Sequence, residues 1–126
     1  MNLKNITDIE FGTNILDISV PDILTKKFAT GLSYVDGAIG GEGFTPSAVT
    51  LFTGEPGAGK TTMMLKIADS ITKQGGVCLF NTAEESLFQT SMTAKRLRLK
   101  NGFLCGNTDD VSMLLEKSLE IIEANP

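Results

Sequence analysis

Gly54-Glu55-Pro56-Gly57-Ala58-Gly59-Lys60-Thr61 fits the pattern G-x-x-x-x-G-K-[ST] in full. In such a turn successive backbone N–H groups point inward. A helix opening near Gly59 adds the positive end of its dipole, so the segment suits a polyphosphate anion. Glycine at positions 54, 57 and 59 permits dihedrals and a close backbone approach that other residues resist, and Pro56 stiffens the turn. Lys60 can reach β- and γ-phosphate oxygens, and the Thr61 hydroxyl can ligate Mg²⁺, with Thr62 a second hydroxyl beside it. The run from Gly54 to Thr62 is therefore a candidate site for the phosphates of a nucleotide with Mg²⁺.

The loop needs a strand before it and a helix after it. Ala48 to Thr53 is apolar and reads as a buried strand, and Met63, Met64, Ile67, Ala68 and Ile71 recur at helical spacing beyond Lys60. Gly75-Gly76 ends that helix. Val77-Cys78-Leu79-Phe80 is a continuous apolar run, as expected of a strand buried on both faces, which completes one βαβ unit. In a right-handed crossover the carboxyl ends of both strands open on one crevice, so Glu84, in Asn81-Thr82-Ala83-Glu84-Glu85-Ser86, emerges near the phosphate loop. A carboxylate there could orient a water for in-line attack on a γ-phosphate. Glu84-Glu85 could equally decorate a helix start, with Ser86 as its cap, and spacing alone weighs the two readings evenly.

Residues 1–29 read as a polar lead-in, with one short strand near Ile23 to Phe28 as the alternative to a solvated arm. Gly31 to Ile39 looks like a short helix and Gly40-Gly41-Glu42-Gly43 like a flexible turn. Further on, a helix is expected from Ser86 to Arg98 and a strand from Gly102 to Cys105. A last amphipathic helix, capped by Thr108 or Asp109, carries Val111, Leu114, Leu115, Ser118, Leu119 and Ile122. This alternation argues α/β with a parallel sheet and crossover helices. Lys95, Arg96, Arg98 and Lys100 could face DNA or a neighbouring subunit's phosphates, although a charge run at a helix end is more often a solvated face complementing the dipole.

At 126 residues and 41% hydrophobic composition the chain is one small domain at most. A net charge of −4 argues against a free-standing nucleic-acid clamp, because such binding rests on neutralising phosphates. The N-terminus has no basic segment followed by an apolar stretch, and no run is long enough to span a bilayer, so a soluble cytoplasmic protein without membrane partners is expected. Cys78 and Cys105 lie far apart in apolar runs with no second Cys or His at ligand spacing. They are expected to be buried reduced thiols, not zinc ligands.

Thr30-Gly31-Leu32-Ser33-Tyr34-Val35-Asp36, then Ile39-Gly40-Gly41, the phosphate loop, and Glu84-Glu85-Ser86 with Gln89, Ala94 and Arg96-Leu97 together resemble the RadA (Sms) family of bacterial DNA repair proteins. That family consists of RecA-like ATPases related to DnaB-type helicases and the KaiC group, and either relative is an alternative reading. The resemblance covers Thr30 to Leu99 well and Gly102 to Pro126 more loosely. It implies a three-layer RecA-like P-loop core that binds ATP and Mg²⁺, assembles as a ring with nucleotide between subunits, and in complete form couples hydrolysis to work on DNA. By position, Lys60 and Thr61 take the phosphate and Mg²⁺ roles and Glu84 that of the water-activating carboxylate.

The chain also departs from that family. The N-terminal Cys₄ zinc motif and the protease-like C-terminal domain are absent, Ser47 stands where the family usually has Gly, and Thr93 replaces a basic residue. By that resemblance a strand carrying the Mg²⁺-organising aspartate is expected after the Val111 to Ile122 helix, and it is not among these residues. Residues 30–126 are therefore expected to be a partial core, binding Mg·ATP weakly with little hydrolysis of its own. A nucleotide-binding assembly module without turnover is the alternative from a different class.

Overall fold

The computed structural model describes residues 9–46 and 48–125. The start of the lead-in, Ser47 and Pro126 lie outside the described residues.

Ile15–Asp17 form a 3₁₀ turn capped by the Asn14 side chain. Helix α1, Asp22–Thr25, follows Pro21. A short strand was one expectation for this segment. Instead the fixed φ of Pro21 starts a turn that the Leu24 N–H closes on the Pro21 carbonyl at 3.0 Å. Phe28 alone behaves as a strand residue, in an antiparallel bridge with Phe44 across the glycine-rich turn.

Helix α2, Ser33–Ala38, is tied to what precedes it by a knot of hydrogen bonds. The Thr30 N–H and hydroxyl both donate to Asp36 Oδ1 at 2.8 Å, and Thr30 is fully buried. These bonds, the Thr30 N–H first among them, hold the Asp36 carboxyl below its ordinary range. At Gly31, with φ +81°, a Cβ would come within 2.5 Å of Ser70 Oγ, so only glycine lets this segment lie against the next helix. Gln74 completes that contact by donating to the Ala29 carbonyl at 3.2 Å.

That helix is α3, Lys60–Lys73, free of Gly, Pro and any acidic residue in its first turn. It buries Leu65, Ile67 and Ala68, which with Val35 make up the buried apolar core among the described residues. The stripe expected from periodicity is only half of this: Met64 is 38% exposed and Leu65 is wholly buried. The helix is covered by the Thr30–Gly31 segment as well as by the sheet, so its buried arc is wider than one apolar stripe. With so few core residues, Leu65→Ala should lose about 2–5 kcal/mol, a large share of the stability of a small domain. Urea unfolding would read this as a lowered midpoint.

The sheet has two strands, β1 (Leu79–Asn81) and β2 (Leu104–Gly106), paired in parallel with Phe80 opposite Cys105. Between them runs α4, Leu87–Arg96, opened by a capping box of Ser86 and Gln89. The βαβ unit is thus β1–α4–β2, one step further along than expected. Ala48 to Thr53 is not a strand: Val49 is 100% and Leu51 84% exposed, and no described residue pairs with the run. Apolar composition alone cannot make a strand, because a strand needs a neighbour to receive its N–H and C=O groups. Only Phe52 finds cover, edge-on to Phe44 at 6.2 Å. The chain is α/β, with a smaller sheet than the expected three-layer arrangement.

Helix α5, Val111–Ala124, is capped by Asp110, whose carboxylate accepts from Ser112 and Met113 N–H. The expected cap, Thr108 or Asp109, is therefore two residues or one residue early. Thr108 instead ties to Asn81, exchanging hydrogen bonds at 3.0 and 3.2 Å that fasten the end of β1 to the approach to α5. Both cysteines are free, as expected, but only Cys78 is half-buried, and burial raises its thiol pKa. Cys105 is exposed because β2 is an edge strand with one face uncovered.

Two helices end in the same way. At α3 the Gly75 and Gly76 N–H groups return to the Thr72 and Ile71 carbonyls, and Gly75 takes φ +89°. At α4 the Arg98 and Leu99 N–H groups return to Lys95 and Ala94 in the same pattern, but the left-handed position, φ +59°, is filled by Arg98. A side chain there costs about 1 kcal/mol that glycine avoids.

Candidate functional site

The Gly54 to Thr62 segment forms a turn that leads straight into α3. The Ala58 N–H closes on the Glu55 carbonyl at 3.0 Å, and the first intrahelical bond runs from Met63 N–H to the Gly59 carbonyl at 3.0 Å. Gly57 and Gly59 have φ of +82° and +92°, where an L side chain is strained. Gly54 is different: a Cβ there would meet the Lys60 side chain at an ordinary 3.5 Å. Of the three glycines, two are required by backbone conformation.

The N–H groups of Gly57, Gly59, Lys60, Thr61 and Thr62 have no backbone acceptor among the described residues. Gly59, the residue before the helix, supplies no side-chain cap. The N–H groups of Lys60, Thr61 and Thr62 are the unsatisfied first turn of a 14-residue helix, where the positive dipole end lies. Lys60 folds back over them, its ammonium donating to the Gly54 carbonyl and, at 3.3 Å, to the Glu55 carbonyl. A cation is thereby held close in the chain to a run of free N–H donors, a combination that favours an anion with several oxygens. Thr61 is exposed and Thr62 half-buried in the same turn.

Glu84 lies in a bend just past β1 and is exposed. The Thr82 hydroxyl accepts from both the Glu84 N–H at 3.3 Å and the Glu85 N–H at 3.2 Å, which shapes the bend. Thr82 N–H in turn donates to the Gly106 carbonyl at 3.0 Å, extending the β1–β2 pairing beyond the strand. Glu84 follows β1, the strand that packs against α3. Ser86 caps α4, so Glu84 and Glu85 lie just before that helix start.

One contact was not foreseen in the sequence. Asp69, on α3, accepts from Gly102 N–H at 2.9 Å, Asn101 N–H at 3.0 Å and Asn101 Nδ2 at 3.2 Å, clamping the α4–β2 connection to α3. Partial burial raises its pKa, but these bonds outweigh that and leave it below the ordinary value. The available signal was Asp in a helix interior, which is a poor helix former and implies a partner off the helix. For Asp36 and Asp69 the folded pKa lies below the usual 3.8, so their stabilisation is complete above that pH and is lost as pH falls through the folded values. Acid titration followed by circular dichroism should show stability falling below about pH 4, with a shallower fall in Asp69→Asn.

This chain, α/β with a glycine-rich loop at a helix start, is similar over most of its length to curated DNA repair proteins. Those relatives are all named DNA repair protein RadA: the protein of Escherichia coli is 39% identical over 106 residues, 84% of this chain and 21% of the relative. That of Haemophilus influenzae is 39% identical over 98 residues, 78% and 19%, and that of Campylobacter jejuni 35% over 123 residues, 95% and 26%. The chain is RadA-like, as its motifs indicate, and spans about a fifth to a quarter of the length of these relatives. No family model and no solved structure matches it. No helix among the described residues is long and apolar enough to cross a membrane.

Proposed function

We propose that this chain is the phosphate-holding segment of a RadA-type, RecA-like ATPase, binding ATP with Mg²⁺ in a protein that works on DNA in repair and recombination. The observation that carries the reading is the set of unbonded N–H groups at Gly57, Gly59, Lys60, Thr61 and Thr62, at the positive end of α3 beside the Lys60 ammonium. Thr61 is the Mg²⁺ ligand, Lys60 draws charge from the γ-phosphate, and Glu84 orients the attacking water. Similarity to proteins named for DNA repair supports the setting, and the ring assembly expected of a RecA-like core belongs to the same proposal.

Adding Mg·ATP to the chain is expected to raise its melting temperature while adenosine, which lacks phosphates, leaves it unchanged. A melting temperature indifferent to Mg·ATP would overturn the reading.

A further inference from the structure

Helix α5 carries more apolar surface than the sheet covers. Leu114, Ser118 and Ile121 line the clefts it shares with β1 and β2 and are half-buried. Val111, Leu115, Leu119 and Ile122, at spacings that put them together on one face, are 60–68% exposed. Ile122 and the half-exposed Val77 continue this stripe into a cleft of about 650 Å³ between α5 and the start of β1. The whole chain exposes 9875 Å², where a folded monomer of its length exposes roughly 6,500 Å². The excess of roughly 3,000 Å² is more than the about 1,200–2,000 Å² that a stable interface removes from both partners together.

Charge narrows what can cover the stripe. Glu116 and Glu123, two turns apart, edge it. Neither has a cation within ion-pair distance among the described residues, where Lys117 with Glu120 is the one pair found. Packed antiparallel on its own equivalent, α5 would set these glutamate rims against each other, a repulsive arrangement. The stripe suits instead an apolar helix face with basic neighbours. The chain itself has one: Phe88 and Met92, a turn apart on α4, are 84% and 70% exposed, and Lys95 and Arg96 follow in the last turn. The dipole accounts for the two cations, but not for the large apolar side chains left in water beside them.

We propose that the α5 stripe docks on the Phe88–Met92 face of α4 in a second copy of this chain, with Glu116 and Glu123 opposite Lys95 and Arg96. The two faces lie on different helices, so the contact joins copies head to tail. It uses no residue from Gly54 to Thr62, and it therefore differs from a ring interface bridged by nucleotide and forms without ATP.

The test is sedimentation velocity of the whole chain over a range of concentration, without nucleotide. The chain is expected to associate. Glu116→Lys with Glu123→Lys in one variant, and Lys95→Glu with Arg96→Glu in another, should each weaken association about tenfold. Both should keep the parent's circular dichroism spectrum and its stabilisation by Mg·ATP, because all four residues are exposed. An equimolar mixture of the two variants should associate as the parent does, since each supplies the charge the other has lost. Nucleotide plays no part in this measurement, so its failure and a failure of Mg·ATP to stabilise the chain are separate results. A parent that stays monomeric, or a mixture that associates no better than the variants apart, would overturn the proposal. So would undiminished association of the Lys95→Glu, Arg96→Glu variant, which would put the surface that meets α5 elsewhere than on α4.

Discussion

Lys60→Ala is expected to abolish stabilisation of the chain by Mg·ATP. In the unsubstituted chain a nucleotide at a hundredfold excess over its dissociation constant contributes about 2.7 kcal/mol. For a domain of this size that is a rise in melting temperature on the order of 10 °C. The variant should show a rise near zero. Its own stability should be almost unchanged, because Lys60 donates only to the Gly54 and Glu55 carbonyls in an exposed turn. Loss of the ligand response with an intact baseline is therefore separable from unfolding in a single thermal scan. A variant that still responds to Mg·ATP as the parent does would remove Lys60 from the phosphate role.

The second large effect is on turnover. Carried in a protein of full RadA length, Glu84→Gln is expected to keep Mg·ATP binding and lose hydrolysis by about 10²–10⁴-fold, the usual worth of a positioned general base. The amide keeps the shape of the side chain and its place in the bend set by Thr82, so geometry is preserved while the proton acceptor is lost. Glu85→Gln, one residue closer to the Ser86 cap, should leave turnover within a few-fold of the parent. Equal turnover in Glu84→Gln and the parent would leave Glu84 as an acid decorating the approach to α4.

Legibility followed locality. The loop was readable because G-x-x-x-x-G-K-T encodes its own conformation, and Gly57 and Gly59 indeed take the left-handed angles that the turn demands. Helices α2, α3 and α4 were readable for the same reason: their periodicity, the Ser86–Gln89 box and the glycine stop at Gly75 are written within a few residues. What failed depended on partners distant in sequence. Ala48 to Thr53 has a strand's composition without a strand's neighbours, and β1 and β2 begin two residues later and end one later than their expected runs because pairing sets their limits. Leu65 was missed because burial on α3 comes from two sides, one of them made possible by Gly31 lying against Ser70. Asp69 and Asn101 are 32 residues apart, and no local pattern joins them.

The RadA-like motifs lie on the parts that were legible. Thr30, Gly31 and Asp36 turn out to be a docking device: a buried hydroxyl and an N–H on one carboxylate oxygen, and a glycine thin enough to meet α3. Their work is to hold the helix whose first turn carries the phosphate donors. Glu84 and Ser86, by contrast, lie in the connection between β1 and α4, where the Thr82 hydroxyl holds the Glu84 N–H and Ser86 caps the helix.

The central claim is that the Gly57 to Thr62 N–H groups receive nucleotide phosphates. Amide ¹H–¹⁵N spectra of the chain, recorded with increasing Mg·ATP, test it residue by residue. The largest shifts are expected at Gly57, Gly59, Lys60, Thr61 and Thr62, saturating together and absent with adenosine. Shifts that saturate elsewhere while these amides stay still would contradict it.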